Sequence, residues 1–148
     1  LFRINNLLFY SRTLEGRYPD TSKIIPTEFK TQFLINTKDL ADSLDRAHLL
    51  SKEERTNIVR LASMDEQTIE ISSSSSELGK VTEHLTVKQF SGEPLKIAFN
   101  SKYLLDVVKV MDTDKVSMSF TGAMSPMIVK PAESEDTLHL ILPYRTTN

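Results

Sequence analysis

The sequence predicts an α+β domain made by duplication, in which two copies of a β-α-β-β-β unit lay two helices side by side on one face of an antiparallel sheet. Three observations carry this. The stretch Ile35-Asn36-Thr37-Lys38-Asp39-Leu40, continuing to Leu44, aligns without a gap on Phe99-Asn100-Ser101-Lys102-Tyr103-Leu104, continuing to Val108; self-similarity at a fixed offset dictates architecture before any single residue does. Both copies run an apolar strand end into Asn, then Ser or Thr, then Lys, so side-chain oxygens meet the free N–H groups of a first helical turn. The helical stretches are followed by segments in which apolar residues alternate. Two helices cannot cover both faces of such a sheet, so its other face is left to solvent.

In chain order, Leu1 to Ser11 reads as strand, and Glu15-Gly16-Arg17-Tyr18-Pro19-Asp20 as a turn-rich connector in which Pro19 bars a regular ladder. Pro26 closes the connector, giving a first segment, 1–26, and a duplicated region, 27–148, whose copies span about 27–91 and 92–148. In the first copy Phe33 to Ile35 is a strand and Thr37 to about Leu50 a helix, with Leu40, Leu44 and Ala47 on its apolar stripe. Strands follow at Asn57 to Ala62, Thr68 to Ser72 and Lys80 to Phe90, with Ser72 to Ser76 a strand end and loop. In the second copy Leu95 to Phe99 is a strand, and Ser101 to Met111 a helix that buries Leu104, Val107, Val108 and Met111. Lys115 to Phe120, Met127 to Val129 and Leu138 to Leu142 complete it.

The 148 residues fit one domain with a short piece left over. Leu1 leads straight into Phe2 and Ile4, as an entry in the middle of a strand would, so the chain reads as a fragment. Asn5 and Asn6 interrupt this opening and no small-residue cleavage site follows, unlike a signal peptide, and no apolar run is long enough to span a bilayer. The chain has no cysteine, which excludes a disulfide framework and zinc-thiolate sites and suits a reducing cytoplasm. A net charge of −2 excludes a surface that is basic throughout but leaves room for a locally basic face.

No catalytic constellation stands out. His48 follows a helix, while His84 and His139 sit in alternating strands where a polar side chain points outward. No His, Asp and Glu set has metal-ligand spacing, and the four glycines are too scattered for a phosphate loop. Asp42 and Asp106 occupy matched repeat positions, but solvated helix faces explain them without catalysis. Lys38 and Lys102 also match, with Arg46 and Lys109 further along, so both helices offer cations on the side away from the sheet. The ending His139-Leu140-Ile141-Leu142-Pro143-Tyr144-Arg145-Thr146 finishes an apolar strand with a proline and an aromatic. That suits either a buried strand end or the wall of an apolar groove for a partner peptide.

The Glu15 to Asp20 connector, the Phe99 to Val107 block and the Leu142-Pro143-Tyr144-Arg145 ending, in that order on a duplicated unit, resemble the bacterial sliding clamp family, the β subunits of DNA polymerase III. The Leu-Pro-Tyr-Arg-Thr ending is more similar to the Gram-positive members. The resemblance covers the whole chain, with 1–26 matching the tail of the family's second domain and the remainder its third. It implies a non-enzymatic processivity factor without cofactor: a head-to-tail homodimeric ring of six domains around duplex DNA, with helices lining the hole. By that resemblance Lys38, Arg46, Lys102 and Lys109 face DNA.

It also implies a pocket for a short Gln-Leu-type peptide carried by polymerase, clamp loader and repair proteins. Pro19, Lys23 and Ile24, Asn100 and Tyr103, Met124 and Pro126, and Leu140, Leu142, Pro143, Tyr144 and Arg145 would line it. Tyr144 replaces an aliphatic residue of some clamps, and Lys23 stands where others have Arg. Leu49 and Leu50, after the first helix, match an apolar pair that the family buries against the neighbouring protomer. A peptide-binding adaptor without DNA is the alternative.

Overall fold

The structure is a computed structural model and describes residues 1–54 and 56–145. Strands β1 (Phe2–Ile4) and β2 (Leu7–Phe9) form a two-stranded antiparallel sheet of their own. The expected single strand is thus a hairpin. Asn5 adopts φ 52°, a left-handed conformation that asparagine tolerates, and the Asn5-Asn6 pair makes the turn. The connector ends in one 3-10 turn, Thr21–Lys23, capped by Asp20, whose carboxylate accepts from the Ser22 N–H at 3.2 Å.

The remaining elements follow the expected order. They are β3 (Thr31–Asn36), α1 (Thr37–Glu53), β4 (Ile58–Ser63), β5 (Thr68–Ser75) and β6 (Gly79–Gly92), then β7 (Lys96–Asn100), α2 (Ser101–Lys109), β8 (Lys115–Phe120), β9 (Met127–Pro131) and β10 (His139–Ile141). The eight strands from β3 onward form one antiparallel sheet in the order β10-β9-β8-β3-β6-β5-β4-β7. The first strand of each unit therefore pairs into the other unit, β3 with β8 and β7 with β4. A bridge between Phe99 and Pro143 links the two ends of this strand order.

Local chemistry sets both helix starts. The Asn36 side chain accepts from the Asp39 N–H and the Asn100 side chain from the Lys102 N–H, each at 3.0 Å. The next residue in each unit is laced to the other unit. The Thr37 N–H bonds the Asp114 carbonyl at 2.9 Å, just before β8, and the Ser101 N–H bonds the Asn57 carbonyl at 2.8 Å, just before β4. At Gly92, φ is 107° and an added Cβ would lie 1.7 Å from the Lys30 carbonyl oxygen, so only glycine admits this approach of β6 to the start of β3.

Odd-numbered residues of β3 to β7 face the helices. Phe33, Ile35, Val59, Leu61, Ile69, Ile71 and Phe99 are buried there against Leu40, Leu44 and Ala47 of α1 and Leu104 and Val108 of α2. Two helix boundaries differ from expectation. α1 runs through Glu53, so His48, Leu49 and Leu50 lie within it and not after it. α2 stops at Lys109, where the Val110 and Met111 N–H groups bond back three residues to Val107 and Val108. Leu105, not Val107, completes its buried stripe; Val107 and Met111 are half-buried. The serine run is strand as far as Ser75, because Ser72 to Ser75 pair with Thr82 to Gly79 of β6.

Candidate functional site

All four helix cations proposed from sequence are held by acids. Lys38 and Lys102 each donate to the aspartate four residues on, Asp42 and Asp106, at 2.7 Å, so the repeat reproduces the ion pair as well as the lysine. Lys109 reaches across to Asp45 of α1 at 3.0 Å. Arg46 bonds Glu83 of β6 with two nitrogens. The hydrogen bond from Lys38 holds the Asp42 carboxyl below its ordinary value and raises the ammonium in turn. Arg46 does the same to Glu83. Asp42 and Asp106, weighed above as catalytic carboxylates, are thus lysine partners on separate helices. The cations of the helix face are each paired with an acid, which leaves little unopposed positive charge on it.

The C-terminal strand shapes a groove of about 440 Å³. Tyr103 and Val107, four residues apart on one face of α2, form one wall, and Leu138 to Leu142 form the other. Tyr103 is 60% exposed and Leu142 64%, so apolar surface is presented to solvent and a phenol can add a hydrogen bond. Of the residues expected in the pocket, Tyr103, Leu140 and Leu142 come together here. Met124 and Tyr144 line a different cleft, of about 610 Å³, on the outer face of the sheet.

Pro143 sits between the two as the bridge partner of Phe99, and the Tyr144 N–H bonds the Ala98 carbonyl at 2.7 Å. Asn100 is occupied as the cap of α2. Pro126 is half-buried beside β9, and Arg145 is exposed at the end of the described chain. Pro19, Lys23 and Ile24 are exposed on the connector and line neither cleft; Lys23 lies 3.6 Å from Asp20.

Sequence reasoning missed Val107 and Leu138 as groove residues, while His139 and Ile141 belong to the ending read as either a buried strand end or a groove wall. The i,i+4 spacing of Tyr103 and Val107 was the available signal. It also missed the polar knot in which His48 Nδ1 lies 2.9 Å from Ser101 Oγ, which in turn donates to the Asn57 carbonyl at 3.1 Å. Ser101 is fully buried, so the pair ties the end of α1 to the start of α2 and offers no reachable nucleophile. Leu49 is 64% exposed near the C-terminal end of α1, with Leu50 half-buried beside it. Among the described residues no group of His, Asp and Glu could hold a metal ion, and no helix is long and apolar enough to cross a membrane.

The sequence model of the family described as DNA polymerase III beta subunit, C-terminal domain, matches residues 22–145. The beta sliding clamp of Bacillus subtilis (strain 168) is 46% identical over 146 residues, which are 99% of this chain and 39% of that protein. The beta sliding clamp of Staphylococcus aureus (strain Mu50) is 40% identical over the same length, covering 38% of it. Among solved structures, the B. subtilis DNA polymerase sliding clamp superposes with a TM-score of 0.84 at 45% identity, over 90% of this chain and 35% of that one. The DNA polymerase III beta subunit of Thermotoga maritima also reaches 0.84, at 29% identity and the same coverage. The chain therefore spans a little over a third of the length of the relatives it matches.

Proposed function

The chain belongs to the family of DNA polymerase III beta subunits, the bacterial sliding clamps, and we propose that it is the partner-docking, DNA-facing third of a cytoplasmic processivity ring without catalytic activity of its own. Residues 1–26 are read as the end of a preceding clamp domain and 27–148 as the third domain. In the ring α1 and α2 face duplex DNA, and partners such as the replicative polymerase insert a short Gln-Leu-type peptide beside the C-terminal strand.

The observation that carries this reading is the repeated Lys38–Asp42 and Lys102–Asp106 pair on two adjacent helices. A surface meant to grip DNA exposes unopposed cations, whereas a ring that must slide needs shallow, sequence-independent attraction and relies on topology to stay on. The exposed apolar groove supplies the second activity, with leucines as anchors and Tyr103 as an orienting group.

Calorimetry with a Gln-Leu-type peptide tests it. Binding is expected, weaker than a complete pocket would give, and Tyr103→Ala with Leu142→Ser, both at exposed groove positions, is expected to abolish it while circular dichroism shows the sheet intact. Unchanged affinity after those substitutions, or no binding at high peptide concentration, removes the groove from the assignment.

A further inference from the structure

The cleft on the outer face of the sheet is unused by the proposed function. Strand alternation builds it. Arg60, Glu70 and Lys96 occupy even-numbered positions of β4, β5 and β7, while their odd-numbered neighbours Leu61, Ile71 and Ile97 enter the core. Its floor is small: Ser72 and Ala98 flank Arg60 in cross-strand register. The long side chains Arg60, Lys80 and Lys96 therefore wall a depression of about 610 Å³. Among the described residues none of these three cations has an acid at ion-pairing distance, in contrast to every candidate cation of the helices. The acid on the wall, Glu70, lies 3.7 Å from His84. Three cations against one wall carboxylate leave the recess with a net positive potential.

The cleft and the groove are neighbours along the chain, since Leu142 lines the groove and Tyr144 the cleft, with Pro143 between them. β7 is the last strand in the sheet order, and the Phe99–Pro143 bridge and the Tyr144–Ala98 bond lie along its edge. We infer that this cleft receives an acidic stretch flanking the partner's docking peptide, so that one bound segment passes from the apolar groove over Pro143 into the cationic recess. The inference rests on the groove assignment above. It adds charge to what partners must carry: apolar anchors for the groove and carboxylates on one side of them.

The test measures binding of four labelled peptides to the chain by fluorescence anisotropy: a plain Gln-Leu-type peptide, the same peptide with four glutamates added at one end or at the other, and the glutamate segment alone. One extended peptide is expected to bind about five- to tenfold tighter than the plain one at low salt, with the advantage fading by about 0.5 M salt. The combined Arg60→Ser, Lys80→Ser and Lys96→Ser chain should lose that advantage and keep the affinity for the plain peptide, while Arg60→Lys with Lys96→Arg should keep both.

Equal affinities of extended and plain peptides, or an advantage that survives the triple substitution, overturn the inference. So does a short DNA duplex that binds tighter than the acidic peptide and is lost with the same substitutions, which would make the recess a nucleic-acid site. Failure of the plain peptide alone is a failure of the groove, and the isolated glutamate segment then decides the cleft by itself.

Discussion

Arg46 and Glu83 meet through two hydrogen bonds across the gap between α1 and β6, Nε to Oε1 at 2.5 Å and Nη2 to Oε2 at 2.6 Å. Glu83 lies on the core-side row of β6 between Val81 and Leu85, and its side chain is only 19% exposed. A carboxylate so placed depends on its arginine, and the hydrogen bonds from Arg46 hold it below its ordinary value of 4.5. A lowered folded-state value stabilises the fold fully above the unfolded value, and the contribution disappears as pH falls through the folded one. Glu83→Gln should therefore be less stable than the parent by a constant amount between roughly pH 6 and 8, and the difference should shrink below about pH 4.5. Urea denaturation across that range checks it; a difference that ignores pH would mean that packing, not charge, is lost.

The chain alone should bind duplex DNA negligibly at physiological salt, because its helix cations are already paired. Removing two of the acids, Asp42→Asn with Asp106→Asn, frees Lys38 and Lys102 without altering either helix. Binding should then appear at low salt, with a logarithmic salt slope steeper by about 1.8, or 0.9 per added phosphate contact. Anisotropy with a short duplex measures both. Sub-micromolar affinity of the parent in moderate salt would show a gripping surface instead of a sliding one.

Leu49 presents an apolar side chain to solvent, with Leu50 beside it. On the reading that this pair meets a neighbouring protomer, the isolated chain should be mainly monomeric with weak, concentration-dependent self-association, and Leu49→Ser should abolish that tendency. Sedimentation equilibrium decides. A tight dimer at micromolar concentration would contradict a head-to-tail contact that needs a different surface opposite.

Leu40 and Leu104 are equivalent positions of the two copies and both are fully buried. Leu40→Ala and Leu104→Ala should each cost about 3 kcal/mol, within the range of about 2–5 for such truncations in a rigid core. Val107→Ala, at a half-buried groove position, should cost under about 1 kcal/mol and weaken peptide binding more than it weakens the fold. Denaturant titration alongside calorimetry separates the two effects.

What the sequence makes legible here is local. The caps Asn36 and Asn100 act within three residues of themselves, and Lys38 and Asp42 are helical neighbours, so pattern and spacing reach them. Features decided by partners distant in the chain were out of reach. Ser73 to Ser75 are strand only because β6 pairs with them, and Arg46 finds Glu83 thirty-seven residues away. The same limit applies to the groove, whose facing residues Val107 and Leu138 belong to elements far apart in sequence. The exchange of β3 and β7 between units leaves no local trace at all, since each strand satisfies its alternation whichever neighbour it joins.

That exchange and the lacing of Thr37 to Asp114 and Ser101 to Asn57 mean that neither copy holds what it needs to fold by itself. A lone unit would be left with a strand lacking its neighbour and a helix start lacking its tether, and its best remedy is a second copy of the same unit. An ancestral single unit on this plan would have lived as an intertwined pair. Fusing the two into one chain replaces an encounter between molecules with closure of one loop, which frees assembly from concentration. Expressed separately, residues 27–91 and 92–148 should each precipitate or dimerise, and mixing them should restore the fold. A soluble, cooperatively folded monomer of either half would show the interdependence to be dispensable.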